Sequence, residues 1–184
     1  MSPKEARTLM MEWVESEALR THMECVAACM DSYCTGDAQE RDTWVVAGLL
    51  HDFDYQRHPS VEEHPFVGVE YLRNNTDVGE EVIEAILGHA TYSGVERTTD
   101  MAKTLFAVDE LAGFIVACAL VRPTGLEGMQ AKSVKKKLKN KNFAAAVSRE
   151  DIAVGIEELG VELSEHIDRC IDAIRNADIS IHTQ

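Results

Sequence analysis

The stretch that most constrains the fold is residues 105–121, seventeen positions whose apolar run is interrupted by Asp109 and Glu110. A helix that is apolar on all sides must be enclosed by other elements or by lipid. A bilayer span needs about 20 apolar residues. This run is shorter and carries two acids, so the expectation is a buried core helix, ended by Arg122-Pro123.

The remaining chain is helical in pattern almost throughout. Helices are expected over about 3–15 and 16–34, the second with Leu19, Met23, Val26 and Met30 on one stripe. A third begins at Asp37 with Glu40 three residues on, a capping-box spacing, and ends near 52–54. His64-Pro65 opens a fourth, stopped by Asn74-Asn75. Asp77 and Glu80 repeat the capping spacing before a fifth that ends near His89, and 92–99 reads as a loop. A basic helix is expected over 126–140, a short one capped by Ser148 to 159, and a last one from Ser164 to about 176. No period-2 alternation is long enough for a sheet. The reading is all-α, an irregular bundle of about eight to ten helices. A length of 184 residues suits one domain with a real core. The expected division is a main helical domain over 1–145 and a small helical extension over 146–184 packed on it.

Charge narrows the partners. The formal net charge is −14. Yet six of the eight lysines (Lys132, Lys135, Lys136, Lys137, Lys139 and Lys141) fall within ten residues that hold no acid. That segment reads as a solvated helix face or as a local anion site. The acidic remainder argues against a broad nucleic-acid grip and against docking on anionic lipid. No targeting segment is expected at the N-terminus, where 1–15 holds three acids and no apolar run. Five cysteines with no CxxC pair read as reduced thiols of a cytoplasmic protein.

The chemistry lies in polar residues placed where periodicity expects burial. His22 sits on the stripe of Leu19 and Val26. His51-Asp52 ends the run Val45-Val46-Ala47-Gly48-Leu49-Leu50, and Asp109 follows Leu105-Phe106-Ala107-Val108. An isolated buried charge costs several kcal/mol. Two such aspartates and several histidines, with no arginine or lysine expected to be buried nearby in sequence, make a divalent metal the natural partner. Mixed nitrogen and oxygen donors suit Mn, Fe, Ni or Zn, with Mg also compatible. Singly, each residue has a plainer reading, a hydrogen-bonded core histidine or a capping aspartate. A zinc site on His22, Cys25 and Cys29 alone would not enclose an ion.

The order His22, His51-Asp52, Asp109, each on a helix, resembles the HD superfamily of metal-dependent phosphohydrolases over about residues 16–123. "VVAGLLHDFDY" is similar to the helix end that carries the family's His-Asp pair. "LFAVDELAGFIVA" is similar to the helix that carries its last aspartate. The resemblance implies a metal held by His22, His51, Asp52 and Asp109. His64 in "HPFVGVEYL" and His89 in "EVIEAILGHA" would extend the set to two metals with Asp52 between them. His89 could equally contact substrate beside one metal.

What the resemblance implies about function is hydrolysis of a phosphate ester or anhydride of a small, nucleotide-like molecule by metal-activated water. The alternative is a nucleotide-sensing module that turns nothing over. Relatives often carry a lysine or glutamate one turn after the His-Asp pair, where this chain has Tyr55. Tyr55 could meet a phosphate or simply pack. Asp54 is the nearest acid, a catalytic candidate whose simplest reading is a solvated helix-end residue. Arg57, Arg122, Lys132 and Lys135 are the candidate substrate contacts. His58, His166 and His182 are expected to be exposed and uninvolved. The expected partner is a small phosphorylated substrate, with no membrane and no broad nucleic-acid surface, and a homodimer is left open.

Overall fold

A computed structural model describes residues 1–177 and 179–181 of the chain. Among them there are nine α-helices and no strand. They are α1 (Pro3–Trp13), α2 (Glu17–Tyr33), α3 (Ala38–Leu50), α4 (Phe66–Asn75), α5 (Glu80–His89), α6 (Asp100–Leu120), α7 (Ala131–Leu138), α8 (Arg149–Leu159) and α9 (Leu163–Asn176), with a 3₁₀ turn at Thr91–Ser93. The expected all-α bundle is the observed one.

The helix starts follow side-chain capping. Ser2, Ser16, Asp37, Thr99 and Ser148 each accept a backbone amide from the first turn, and Ser2 with Glu5 completes a capping box. Three boundaries differ from the sequence reading. Gly79, not Asp77, precedes α5, because the Asp77 carboxylate pairs with the N-terminal amine of Met1 at 2.8 Å. The basic helix is only Ala131–Leu138, because Gly125 and Gly128 adopt left-handed backbone with φ of 54° and 64° and turn the chain before it. Glu162 rather than Ser164 caps α9.

Helix α6 forms the axis. Leu105, Val108, Leu111, Phe114 and Ile115 are fully buried along it, and α2, α5, α8 and α9 all pack on it. Two glycines set the closest approaches. A Cβ on Gly48 of α3 would lie 2.6 Å from the Ala27 Cα of α2, and one on Gly155 of α8 would lie 2.7 Å from the Ala107 Cα of α6. Helices α8 and α9 join this core rather than a separate one: Ile152, Ile167, Cys170, Ile171 and Ile174 are buried within it. All five cysteines are buried and free. No described helix is long and apolar enough to cross a membrane.

His166 departs from expectation. It is buried, with Nε2 donating to the Ala107 carbonyl at 3.0 Å and Nδ1 accepting from the Tyr33 hydroxyl at 2.6 Å. Its acidic neighbours in sequence suggested an exposed face, but it shares the α9 stripe of Ile167, Cys170 and Ile174 that faces the core. Burial pushes its pKa down. His58 lies in the loop as expected, bonded to Glu63, and His182 falls outside the described residues.

Candidate metal centre

Helix ends bring the histidines into position. His51 and His89 close α3 and α5, and each ring turns back so that Nδ1 donates to the carbonyl three residues earlier, Gly48 and Ile86 respectively. Carbonyls in the last turn of a helix lack intrahelical donors, so these rings satisfy an existing need. A carbonyl only accepts, so Nδ1 carries the proton and Nε2 points into the cluster as a lone pair.

His64 is fixed differently. Its Nδ1 donates to Asp54 Oδ1 at 2.7 Å, and Asp54 Oδ2 accepts the Gly68 amide at 2.7 Å. Asp54 is fully buried. The reading of Asp54 as a solvated helix-end residue is therefore corrected, because the turn after Leu50 folds this carboxylate inward beneath His64. A carboxylate behind a ligating histidine fixes its tautomer and raises its basicity. The sequence spacing of ten residues between Asp54 and His64 gave no sign of this pairing.

The donors fall into two sets joined by Asp52. On one side, His22 Nε2 lies 3.2 Å from His51 Nε2 and 3.0 Å from Asp109 Oδ1. Asp52 Oδ2 lies 3.5 Å from His51 Nε2. On the other, Asp52 Oδ1, His64 Nε2 and His89 Nε2 form a triangle with all three edges 3.3 Å. Metal–ligand bonds of about 2.0–2.2 Å at tetrahedral or octahedral angles place donors about 3.0–3.4 Å apart. The triangle fits a divalent ion by that test; the first set is wider, with His22 Nε2 3.8 Å from Asp52 Oδ2, but its donors also lie close enough together to hold one.

The electrostatics agree. Burial alone would lower the His51 pKa, but the Asp52 and Asp109 carboxylates outweigh it and hold the imidazole up to about 9. Burial likewise opposes charging of His64, and Asp52 and Asp54 raise it to about 9. Burial would raise the acids, yet His51 and the other imidazoles hold Asp52 and Asp109 well below the usual carboxylate range. Unprotonated Nε2 atoms facing each other at 3.2–3.3 Å repel unless a cation lies among them. Without metal, that cation is a proton on the imidazoles.

The cluster opens at His22, Asp52 and Asp109, its partly exposed members. Asp52 and Asp109 keep 17 % and 18 % of their side-chain surface, whereas His51 keeps 0 %. Tyr55 stands at this mouth, 45 % exposed, its ring edge-on to His64 at 5.1 Å between centroids. Tyr92, also exposed, is near enough for its burial and the Asp52 and Asp54 charges to raise its hydroxyl pKa. Neither Tyr92 nor Glu110 stood out in the sequence as a site residue. Glu110 follows Asp109, accepts the Ser148 amide at 3.0 Å and is pushed up to about 7 by its burial and by Asp109. Its place in an apolar helix was the available signal.

The candidate substrate contacts lie differently. Arg57 donates to the Trp13 carbonyl at 3.0 Å and to the Glu12 carbonyl, and its guanidinium covers the Trp13 ring. With Gln56 Oε1 accepting from the Glu15 and Ser16 amides, it pins the turn holding Asp52 and Asp54 onto the α1–α2 junction. Arg122 donates to the Gly125 and Glu127 carbonyls. Lys132 and Lys135 line a cleft to which none of the six histidine and aspartate donors contributes.

Against known proteins, the family model described as "HD domain" matches residues 19–113, just over half the chain, from α2 into α6. All six donors lie within it. No curated protein and no solved structure matches the chain.

Proposed function

Since this chain belongs to the HD domain family, we propose that it is a metal-dependent phosphohydrolase acting on a small, nucleotide-like phosphate ester or anhydride. The observation that carries the reading is the division of Asp52, whose two oxygens each face a separate pair of histidines. His22, His51, Asp109 and Asp52 Oδ2 would hold one divalent ion, and His64, His89 and Asp52 Oδ1 a second. Mixed nitrogen and oxygen donors suit Mn, Fe, Ni or Zn. Such ions supply Lewis acidity, lowering the pKa of water at the site toward about 7 and drawing charge from phosphoryl oxygens.

The residues of the chain do the positioning. Gly48 and Ile86 carbonyls and the Asp54 carboxylate hold the Nδ1 protons, so that three imidazoles present Nε2 without rearrangement. Asp54, enclosed behind His64, acts through that ring and is a positioning residue. Tyr55, exposed and with its ring beside His64, would donate its hydroxyl to a phosphoryl oxygen. The Tyr55 and Tyr92 rings offer apolar faces to a base, which supports a nucleotide-like substrate over inorganic phosphates. The net charge of −14 favours a compact substrate over a polymer.

The test is release of inorganic phosphate from a panel of nucleotides and dinucleotides with Mn²⁺, Ni²⁺ or Co²⁺ added, alongside Asp52→Ala. Wild-type release, abolished together with metal content in Asp52→Ala, is the expected result. Full activity in a folded, metal-free Asp52→Ala protein would overturn it. Ligand-induced thermal stabilisation without phosphate release would instead identify a nucleotide-sensing module.

A further inference from the structure

A second site of opposite character lies away from the metal centre. A cleft of about 1040 Å³ opens between α7 and α9, floored by the turn that enters α7. Lys132, Lys135, Lys136 and Lys139 line it. These positions are spaced i, i+3, i+4 and i+7, so they form one stripe of α7, while Ala131 and Val134 are buried. Like charges three and four residues apart on a helix repel one another. The stripe therefore costs the helix stability, and nothing in the packing of the bundle needs it.

The lysines are also unpaired. Among the described residues, no lysine of the run has a carboxylate within 4.0 Å, although the chain holds 32 acids. Three acids line the cleft, Glu127, Asp168 and Asp172, and the last two have partners of their own. Asp168 accepts the Ala131 amide at 2.7 Å, and Asp172 pairs with Arg175. Lys135 Nζ donates to Ser164 on the opposite wall at 2.7 Å. With Arg175, the lining carries five basic groups against the three acids, so this concave surface is net positive on an acidic molecule and focuses positive potential.

We infer that this cleft is a binding site for a compact multiply charged phosphate, of the di- or triphosphate class, separate from the metal centre. The lysine stripe spans about 10 Å at 1.5 Å per residue. That length matches a short phosphate chain better than a single phosphate group, which two of the four lysines would saturate. The inference does not depend on hydrolysis at the metal centre, because no donor of that centre lines the cleft.

The experiment is calorimetric titration of the 184-residue chain, as purified and again after EDTA treatment, with orthophosphate, pyrophosphate and tripolyphosphate. Affinity is expected to rise in that order, to survive EDTA, and to fall steeply with added salt. Lys136→Glu with Lys139→Glu should weaken tripolyphosphate at least tenfold, with metal content unchanged and the melting temperature no lower. The salt series on wild-type protein reads the same site without any substitution. Tripolyphosphate binding that EDTA abolishes would overturn the inference. So would binding that the double variant leaves intact, or equal binding by a single-stranded oligonucleotide.

Discussion

Replacing Asp54 by Asn changes one oxygen to an amide nitrogen in a fully buried position and should empty half of the metal centre. In the wild type, the two Asp54 oxygens accept from His64 Nδ1 and the Gly68 amide, each at 2.7 Å. Asparagine offers one acceptor. If its oxygen keeps Gly68, its NH₂ faces His64 Nδ1 and drives the ring to the tautomer with a proton on Nε2. That proton then points at Asp52 Oδ1, 3.3 Å away, where a metal ligand needs a lone pair. If the oxygen keeps His64 instead, the NH₂ opposes the Gly68 amide, and a buried donor without a partner costs about 1–3 kcal/mol. A Cβ on Gly68 would itself lie 2.8 Å from Asp54 Oδ2, so the loop has little room to adjust. Loss of such an orienting carboxylate lowers metal affinity about 10- to 100-fold, or about 1.4–2.8 kcal/mol. His22, His51 and Asp109 make no hydrogen bond to Asp54, so their ion should stay. Elemental analysis should find two ions per chain in the wild type and one in Asp54→Asn at limiting metal. Two ions held with unchanged affinity by a folded Asp54→Asn protein would refute the reasoning.

Gly48→Ala should destabilise the protein by about 1–3 kcal/mol, because its Cβ meets Ala27 backbone that cannot move aside; thermal unfolding measures this, and an unchanged melting temperature would contradict the packing described. In EDTA, His51 and His64 are raised from 6.5 to about 9 in the folded state. Their stabilisation is therefore full below pH 6.5 and lost as pH rises through 9, so melting at pH 9.5 should fall below that at pH 6.5 by an amount reflecting a few kcal/mol. Asp52 and Asp109, depressed in the folded state, contribute stability that is lost only in acid, below their ordinary range. Tyr55→Phe keeps the ring against His64 and removes the hydroxyl, so metal content should hold while phosphate release drops about tenfold, consistent with loss of one hydrogen bond of about 1.4 kcal/mol; equal turnover would reduce Tyr55 to a packing residue.

Much of the site was legible because burial and charge conflict visibly in a sequence. Asp109 inside the most apolar helix, and His51-Asp52 at the end of another, announce groups that need a cation. The helices were legible for a related reason: local capping chemistry and 3.6-residue periodicity need no distant contact. Where a distant contact intervened, the reading failed. Asp77 was taken from its cap by the N-terminal amine, and His166 was drawn inward by Tyr33 and Ala107. Asp54 appeared solvated because its partners, His64 and Gly68, are ten and fourteen residues away.

The sequence by itself therefore determined an all-helical chain with a core helix, and its resemblance to the HD superfamily implied six histidine and aspartate candidates. Only the tertiary structure decided how those donors divide. Asp52 turns one oxygen to His22 and His51 and the other to His64 and His89 because α2 and α3 approach as closely as Gly48 allows, while the turn after α3 is held by Arg57 and Gln56 on α1 and α2. The lysine run was equally ambiguous along the chain, a solvated face or an anion site. The packing of α7 beside α9 makes it the wall of a cleft. Periodicity records which residues share a helix face; it does not record which face of another helix they will meet, because that is set by contacts between residues far apart in sequence.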